Sequence, residues 1–113
     1  MLPDIIDLDA ALRRLGANHE LLGTLIQFFF EDAPDLLAKI RQGLAQNDAG
    51  AIRLASHRLS GLSSNFGAEL AVAAARRVEE LAETNDGNLL PPAVAALEHE
   101  ISLVTAALKQ HDV

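Results

Sequence analysis

Of the four histidines in the chain, His57 has the neighbours that chemistry would need. It lies in the stretch Ala55-Ser56-His57-Arg58-Leu59-Ser60-Gly61. An imidazole has an ordinary pKa of about 6.5, so near neutral pH the ring is largely uncharged and can act as a nucleophile. Apolar residues recur around it at Ile52, Ala55, Leu59, Leu62 and Phe66, the spacing of a helical stripe. At about 100° per residue the centre of that stripe lies roughly 170° from His57. His57 should therefore point away from the core. On its own face the same arithmetic places Gly50, Arg53, Ser60, Gly61 and Ser64, all small except Arg53. A glycine inside a helix costs about 1 kcal/mol against alanine, and this helix holds two. Gly61, one turn after His57, would leave the ring uncovered and let another backbone come close. The plain alternative is a surface histidine in a helix stable enough to tolerate glycine, and the residues alone leave both open.

Other chemistries find no support. His19, His99 and His111 lack an HxxxH or HExxH partner, so no metal site is expected. There is no cysteine, hence no disulfide, thiolate nucleophile or cysteine-type zinc site. No GxSxG, GxxxxGK[ST] or GxGxxG is present, so neither a serine nucleophile elbow nor a nucleotide-binding loop is expected. The net charge of −7 argues against nucleic acid and against an anionic membrane surface. No apolar run approaches the roughly 18 residues a membrane span needs. The start, MLPDIIDLD, is acidic where a secretory leader carries positive charge, so a cytoplasmic location is expected.

The elements that must position His57 are all helical. At 113 residues and 50% hydrophobic, one domain over residues 1–113 is expected. Ile5, Leu8, Leu12 and Leu15 predict a short first helix, capped by Asp4 or Asp7 and ended by Gly16. A long second helix starts near Asn18 and runs through Leu22, Leu25 or Ile26, Phe29, Ala33, Leu36 or Leu37, Ile40 and Leu44. Its stripe keeps phase across Pro34, which predicts one kinked helix rather than two. Phe28-Phe29-Phe30 covers about 200° of it, so Phe29 is the core residue and Phe28 or Phe30 is left for the first helix. Asp48 caps a third helix that runs to about Phe66 and stops at Gly67. A fourth spans Ala68 to Thr84, with Leu70, Ala74, Val78 and Leu81 as its seam. Arg76-Arg77 and Glu79-Glu80 read there as a solvated face. Pro91-Pro92 opens the last helix, whose seam is Val94, Leu97, Ile101, Val104 and Leu108. The expected fold is all-α: an antiparallel four-helix bundle with a short additional N-terminal helix.

The residues around His57 resemble the histidine-containing phosphotransfer (HPt) domains of two-component phosphorelays. That family's motif is His, any residue, Leu, Lys, Gly, with a second Gly six residues later. His57, Leu59, Gly61 and Gly67 match it in type and spacing. Asn65-Phe66-Gly67-Ala68, the Phe28 to Asp32 run, Leu36-Leu37 and Glu79 also fit, so the likeness covers nearly the whole chain. It implies a carrier that takes a phosphoryl group from a receiver-domain aspartate on His57 and passes it to another receiver, or back. It implies response-regulator receivers or a hybrid sensor histidine kinase as partners, a monomer, no kinase machinery, and Mg2+ on the receiver rather than a cofactor here. Ser60, Gly61, Arg53 and Ser64 become the phosphoryl neighbourhood, and Leu54, Arg58 and Gly50 the docking surface. Leu54, about 60° round from His57, is either a docking contact or covered by the first helix. Ser60 departs from the family's Lys and brings a hydroxyl without charge. Arg53 is the nearest replacement cation. The departure leaves a second reading, an HPt-like adaptor that binds a receiver or sensor kinase without transfer.

Overall fold

The computed structural model describes residues 4–111, so the first three residues of the acidic start lie outside the described residues. Five helices follow one another: α1 Leu8–Arg14, α2 His19–Gln46, α3 Ala49–Ser64, α4 Glu69–Thr84 and α5 Leu90–His111. Among the described residues there is no strand, and no helix is long and apolar enough to cross a membrane. α2 to α5 form the bundle and α1 is the short extra helix.

Local chemistry sets the boundaries. The carboxylate of Asp7, the amide oxygen of Asn18 and the carboxylate of Asp48 accept from the N–H groups of Ala10, Leu21 and Ala51, each at 3.0 Å. These side chains satisfy donors that a helix start would otherwise leave unpaired. Asn47 and Asn85 end α2 and α4 in the left-handed region, at φ 54° and 53°. Ahead of α5, Asp86 accepts from the N–H groups of Asn88 and Leu89. Pro91 and Pro92 then fall in the first turn of α5, where a missing N–H costs little. α2 runs unbroken through Pro34, whose ring is on the solvent side, where water can serve the carbonyl it leaves unpaired.

The core is a column of large apolar side chains from α2 and α5 closed by smaller ones from α3 and α4. Phe29 and Phe66 are fully buried and meet edge to face at 5.7 Å. Phe30 is half-buried against the core, whereas Phe28 is 48% exposed. The α5 seam is Val94, Leu97, Ile101, Val104 and Leu108 as expected. The α4 seam is not. Leu70 is exposed and Ala74 only half-buried, while Ala71, Ala75, Val78, Leu81 and Ala82 are buried. Opposite them α3 buries Ser56, Ser60 and Ser63 with Ile52, Ala55 and Leu59, and Leu62 is only half-buried. Small residues let two helix axes approach, so the α3–α4 seam follows side-chain size rather than hydrophobicity. Ser56 returns its hydroxyl to the carbonyl of Ile52 at 2.8 Å, whereas among the described residues the buried Ser63 hydroxyl has no partner.

Two close contacts hold the frame around α3. At Gly43 a Cβ would fall 2.7 Å from Cγ1 of Ile52, so α2 and α3 touch where glycine permits it. Gly67 has φ +62°, and a Cβ there would fall 2.9 Å from that of Asp7. The chain entering α1 crosses here, with the Asp7 N–H donating to the Phe66 carbonyl at 2.7 Å. Arg14 adds bonds to the carbonyls of Ser64 and Asn65 at 3.1 and 3.3 Å. α1 is thus a clamp on the far end of α3.

Candidate functional site

α3 carries His57 midway along its length, on a face left largely open among the described residues. Its side chain is 69% exposed. The ring is held from one side: Nδ1 lies 3.2 and 3.3 Å from the two carboxylate oxygens of Glu79 on α4. A carboxylate can only accept, so this bond requires the proton on Nδ1. In the neutral ring Nε2 then carries the lone pair. Among the described residues Nε2 has no hydrogen-bond partner. The contact orients the ring, and in the neutral imidazole it goes with the Nδ1–H tautomer and turns Nε2 away from Glu79.

The expected collar is partly reproduced. Gly61 is exposed, and among the described residues no heavy atom beyond its chain neighbours and its own helix backbone lies within 4 Å of where its Cβ would be. Packing therefore does not require glycine at 61; its effect is open space one turn from His57. Gly50 and Arg53 are exposed on the same face. Ser64 is exposed too, with its hydroxyl donated to the Gly61 carbonyl at 2.7 Å. Ser60 is placed differently from expectation. It is 8% exposed, and its hydroxyl donates to the carbonyl of His57 at 2.6 Å. α4 packs so closely on that side of α3 that the buried arc extends to within about 60° of His57. The Ser60 hydroxyl faces its own backbone, not the space in front of the ring.

Leu54 is 50% exposed. α1 does not cover it, because α1 grips Ser64 and Asn65, about 15 Å further along α3 at 1.5 Å per residue. Arg58 turns toward α2, where it borders an open groove with Asp32, Asp35, Lys39 and Gly61. Among the described residues no three metal-ligating side chains converge. The residue that periodicity missed is Glu79, read as part of a solvated face. Its side chain is only 20% exposed. The available signal was its place beside Val78, on the edge of the α4 seam.

Comparison with known proteins places the fold. The family model described as Hpt domain matches residues 24–107. The chain is similar to histidine-containing phosphotransfer protein B (HptB) from Pseudomonas aeruginosa PAO1, with 27% identity and a TM-score of 0.87 over 97% of this chain and 96% of that one. It also shares its fold with the HPT domain of an Hpt sensor hybrid histidine kinase from Shewanella, with 22% identity and a TM-score of 0.81 over 94% and 92% of the two chains. No curated protein matches. The chain belongs to the Hpt domain family, and its role is histidine phosphotransfer in a phosphorelay.

Proposed function

We propose that His57 is the phosphoacceptor and that Nε2 is the reacting atom. The observation that carries this reading is the Glu79 clamp: Nδ1 is bonded to a carboxylate while the rest of the ring stands in solvent. When a receiver docks, the Nε2 lone pair attacks phosphorus of its aspartyl phosphate. The P–N bond forms, the P–O bond to the aspartyl group breaks, and the aspartate leaves as carboxylate. The proton stays on Nδ1, so the ring becomes cationic and Glu79 faces that new charge. The reverse sequence returns the group. Catalysis of phosphoryl transfer is chiefly positioning and charge stabilisation, which a rigid helix with one fixed ring supplies.

The remaining site residues take supporting roles. Gly61 and Gly50 keep the approach open. Ser64 is small enough not to obstruct it, and Ser60 acts through the backbone of His57. Arg53 contributes positive charge, while Leu54 and Arg58 meet the receiver. Residues 1–113 act as one carrier module, a monomer when free, with no ATP chemistry of its own. Mg2+ belongs to the receiver. Receiver domains, free or within a hybrid kinase, are the partners.

The test is transfer from a panel of receiver domains charged with acetyl phosphate. Acid-labile phosphate on His57, absent from His57→Gln, is the expected result. A wild-type chain that binds receivers but never takes label would overturn it in favour of a binding-only adaptor.

A further inference from the structure

α3 and α4 run antiparallel, and the His57–Glu79 contact sets their register. Counting toward the end of α3 and back along α4, residue 60 is level with residue 76, and residue 64 with residue 72. The groove there agrees, since Ser64, Val72, Ala73 and Arg76 border it together. Arg76 precedes Glu79 by about 4.5 Å along the axis and stands about 60° further out from the buried seam. An arginine side chain is long enough to span that offset toward Ser60 and the exposed ring of His57.

A loaded His57 puts a doubly charged phosphoryl group beside the Glu79 carboxylate, on a chain of net charge −7. That group needs a cation. Ser60, level with it, is uncharged and its hydroxyl is already bonded. The guanidinium of Arg14 is held by the Ser64 and Asn65 carbonyls, and that of Arg41 by Glu98. Arg58 is on the α2 side, beside Asp32 and Asp35. Arg53 is also exposed, with no hydrogen bond or ion pair among the described residues, but in the same register it is level with Glu83, a turn beyond Glu79 and away from Ser60. Arg76 is exposed and, among the described residues, has neither a hydrogen bond nor an ion pair. Along the α4 flank of Glu69, Val72, Arg76, Glu79 and Glu83 it is the one cation.

We propose that Arg76, reaching across from α4, binds the phosphoryl oxygens during transfer to His57. The planar guanidinium can hold two of those oxygens at once. This rests on His57 being the acceptor. The step is the one given above, with no further reactant: Arg76 keeps its protons and contributes only charge and hydrogen bonds.

The experiment compares wild type, Arg76→Ala, Arg76→Lys and Arg53→Ala as full chains, using a receiver that loads the wild type. Transfer rate is measured against receiver concentration. Removing a charged donor from a developing phosphoryl charge should lower the maximal rate of Arg76→Ala about tenfold or more. The half-saturating receiver concentration should stay within about twofold, and Arg76→Lys should recover most of the rate. Arg53→Ala should have the smaller effect. An unchanged maximal rate, or a change confined to half-saturation, overturns the proposal while leaving His57 as acceptor. A wild type that takes no label from any receiver overturns both.

Discussion

Two glutamates tie neighbouring helices together in this bundle, and they do so with opposite consequences. Glu98 on α5 meets Arg41 of α2, whose Nε is 2.9 Å from one carboxylate oxygen while a terminal nitrogen bonds the other. Glu79 on α4 meets His57 of α3 through a single ring nitrogen. A guanidinium is permanently charged, and its fork is matched by the two carboxylate oxygens. An imidazole offers one nitrogen to the carboxylate and keeps the other. The first pair is closed and joins two helices. The second leaves a nucleophile facing solvent. Both glutamates are partly buried, so the difference lies in the partner's chemistry.

Breaking the open pair should produce the largest effects. His57→Gln keeps a polar side chain on a 69% exposed site, so thermal unfolding should be nearly unchanged while phosphotransfer is abolished. Residual label on that variant would place the acceptor elsewhere. Glu79→Ala comes next. It frees the tautomer and removes the carboxylate that faces the cationic ring, so transfer should slow by roughly ten- to a hundredfold. Pre-steady-state transfer kinetics check this, and the loss should appear in the maximal rate rather than in receiver affinity.

The comparison also shows what the sequence could tell. Asn18 and Asp48 mark their helix starts, and the first helix is narrowed to Asp4 or Asp7, because capping is local chemistry. The α5 seam is legible because its five large residues repeat strictly at helical spacing. His57 is legible for a related reason: the stripe opposite it is strong enough to fix its direction. The α3–α4 seam defeats the same method. Its buried residues are mostly serine and alanine, which hydrophobic periodicity scores weakly. That hides the buried position of Ser60 and moves the apparent seam of α4 onto Leu70. Glu79 is lost with it, because its environment depends on how closely two helices approach. Arg41–Glu98 is equally invisible, since its partners are 57 residues apart.

Gly61 contributes space beside the open pair rather than a bond. Among the described residues a Cβ there meets nothing beyond its own helix, so Gly61→Ala should stabilise the fold by up to about 1 kcal/mol through helix propensity. Gly61→Leu should stay folded yet slow transfer severalfold, since its bulk stands one turn from the ring where a receiver must approach. Chemical denaturation and transfer kinetics together read the two effects. A leucine variant that transfers at the wild-type rate would show that the open space is incidental.

The closed pair should give the smallest effect, and only on stability. Hydrogen bonding to Arg41 holds the Glu98 carboxyl below the ordinary carboxylate value. A carboxyl whose pKa is lowered on folding contributes its stability above the unfolded value, and loses it as pH falls through the folded one. The contribution should therefore be constant through neutral pH and fade on acidification past the usual carboxylate range. Arg41 is half-exposed and Glu98 is still one-third exposed, so the pair contributes within the range of about 0.2–1 kcal/mol found for surface pairs. Arg41→Ala should lower stability by that amount near pH 7, converge with wild type in acid, and leave phosphotransfer untouched. Urea unfolding at several pH values measures the first two. A change in transfer rate would mean that the α2–α5 contact reaches His57 through the core, and the two glutamates would not be independent.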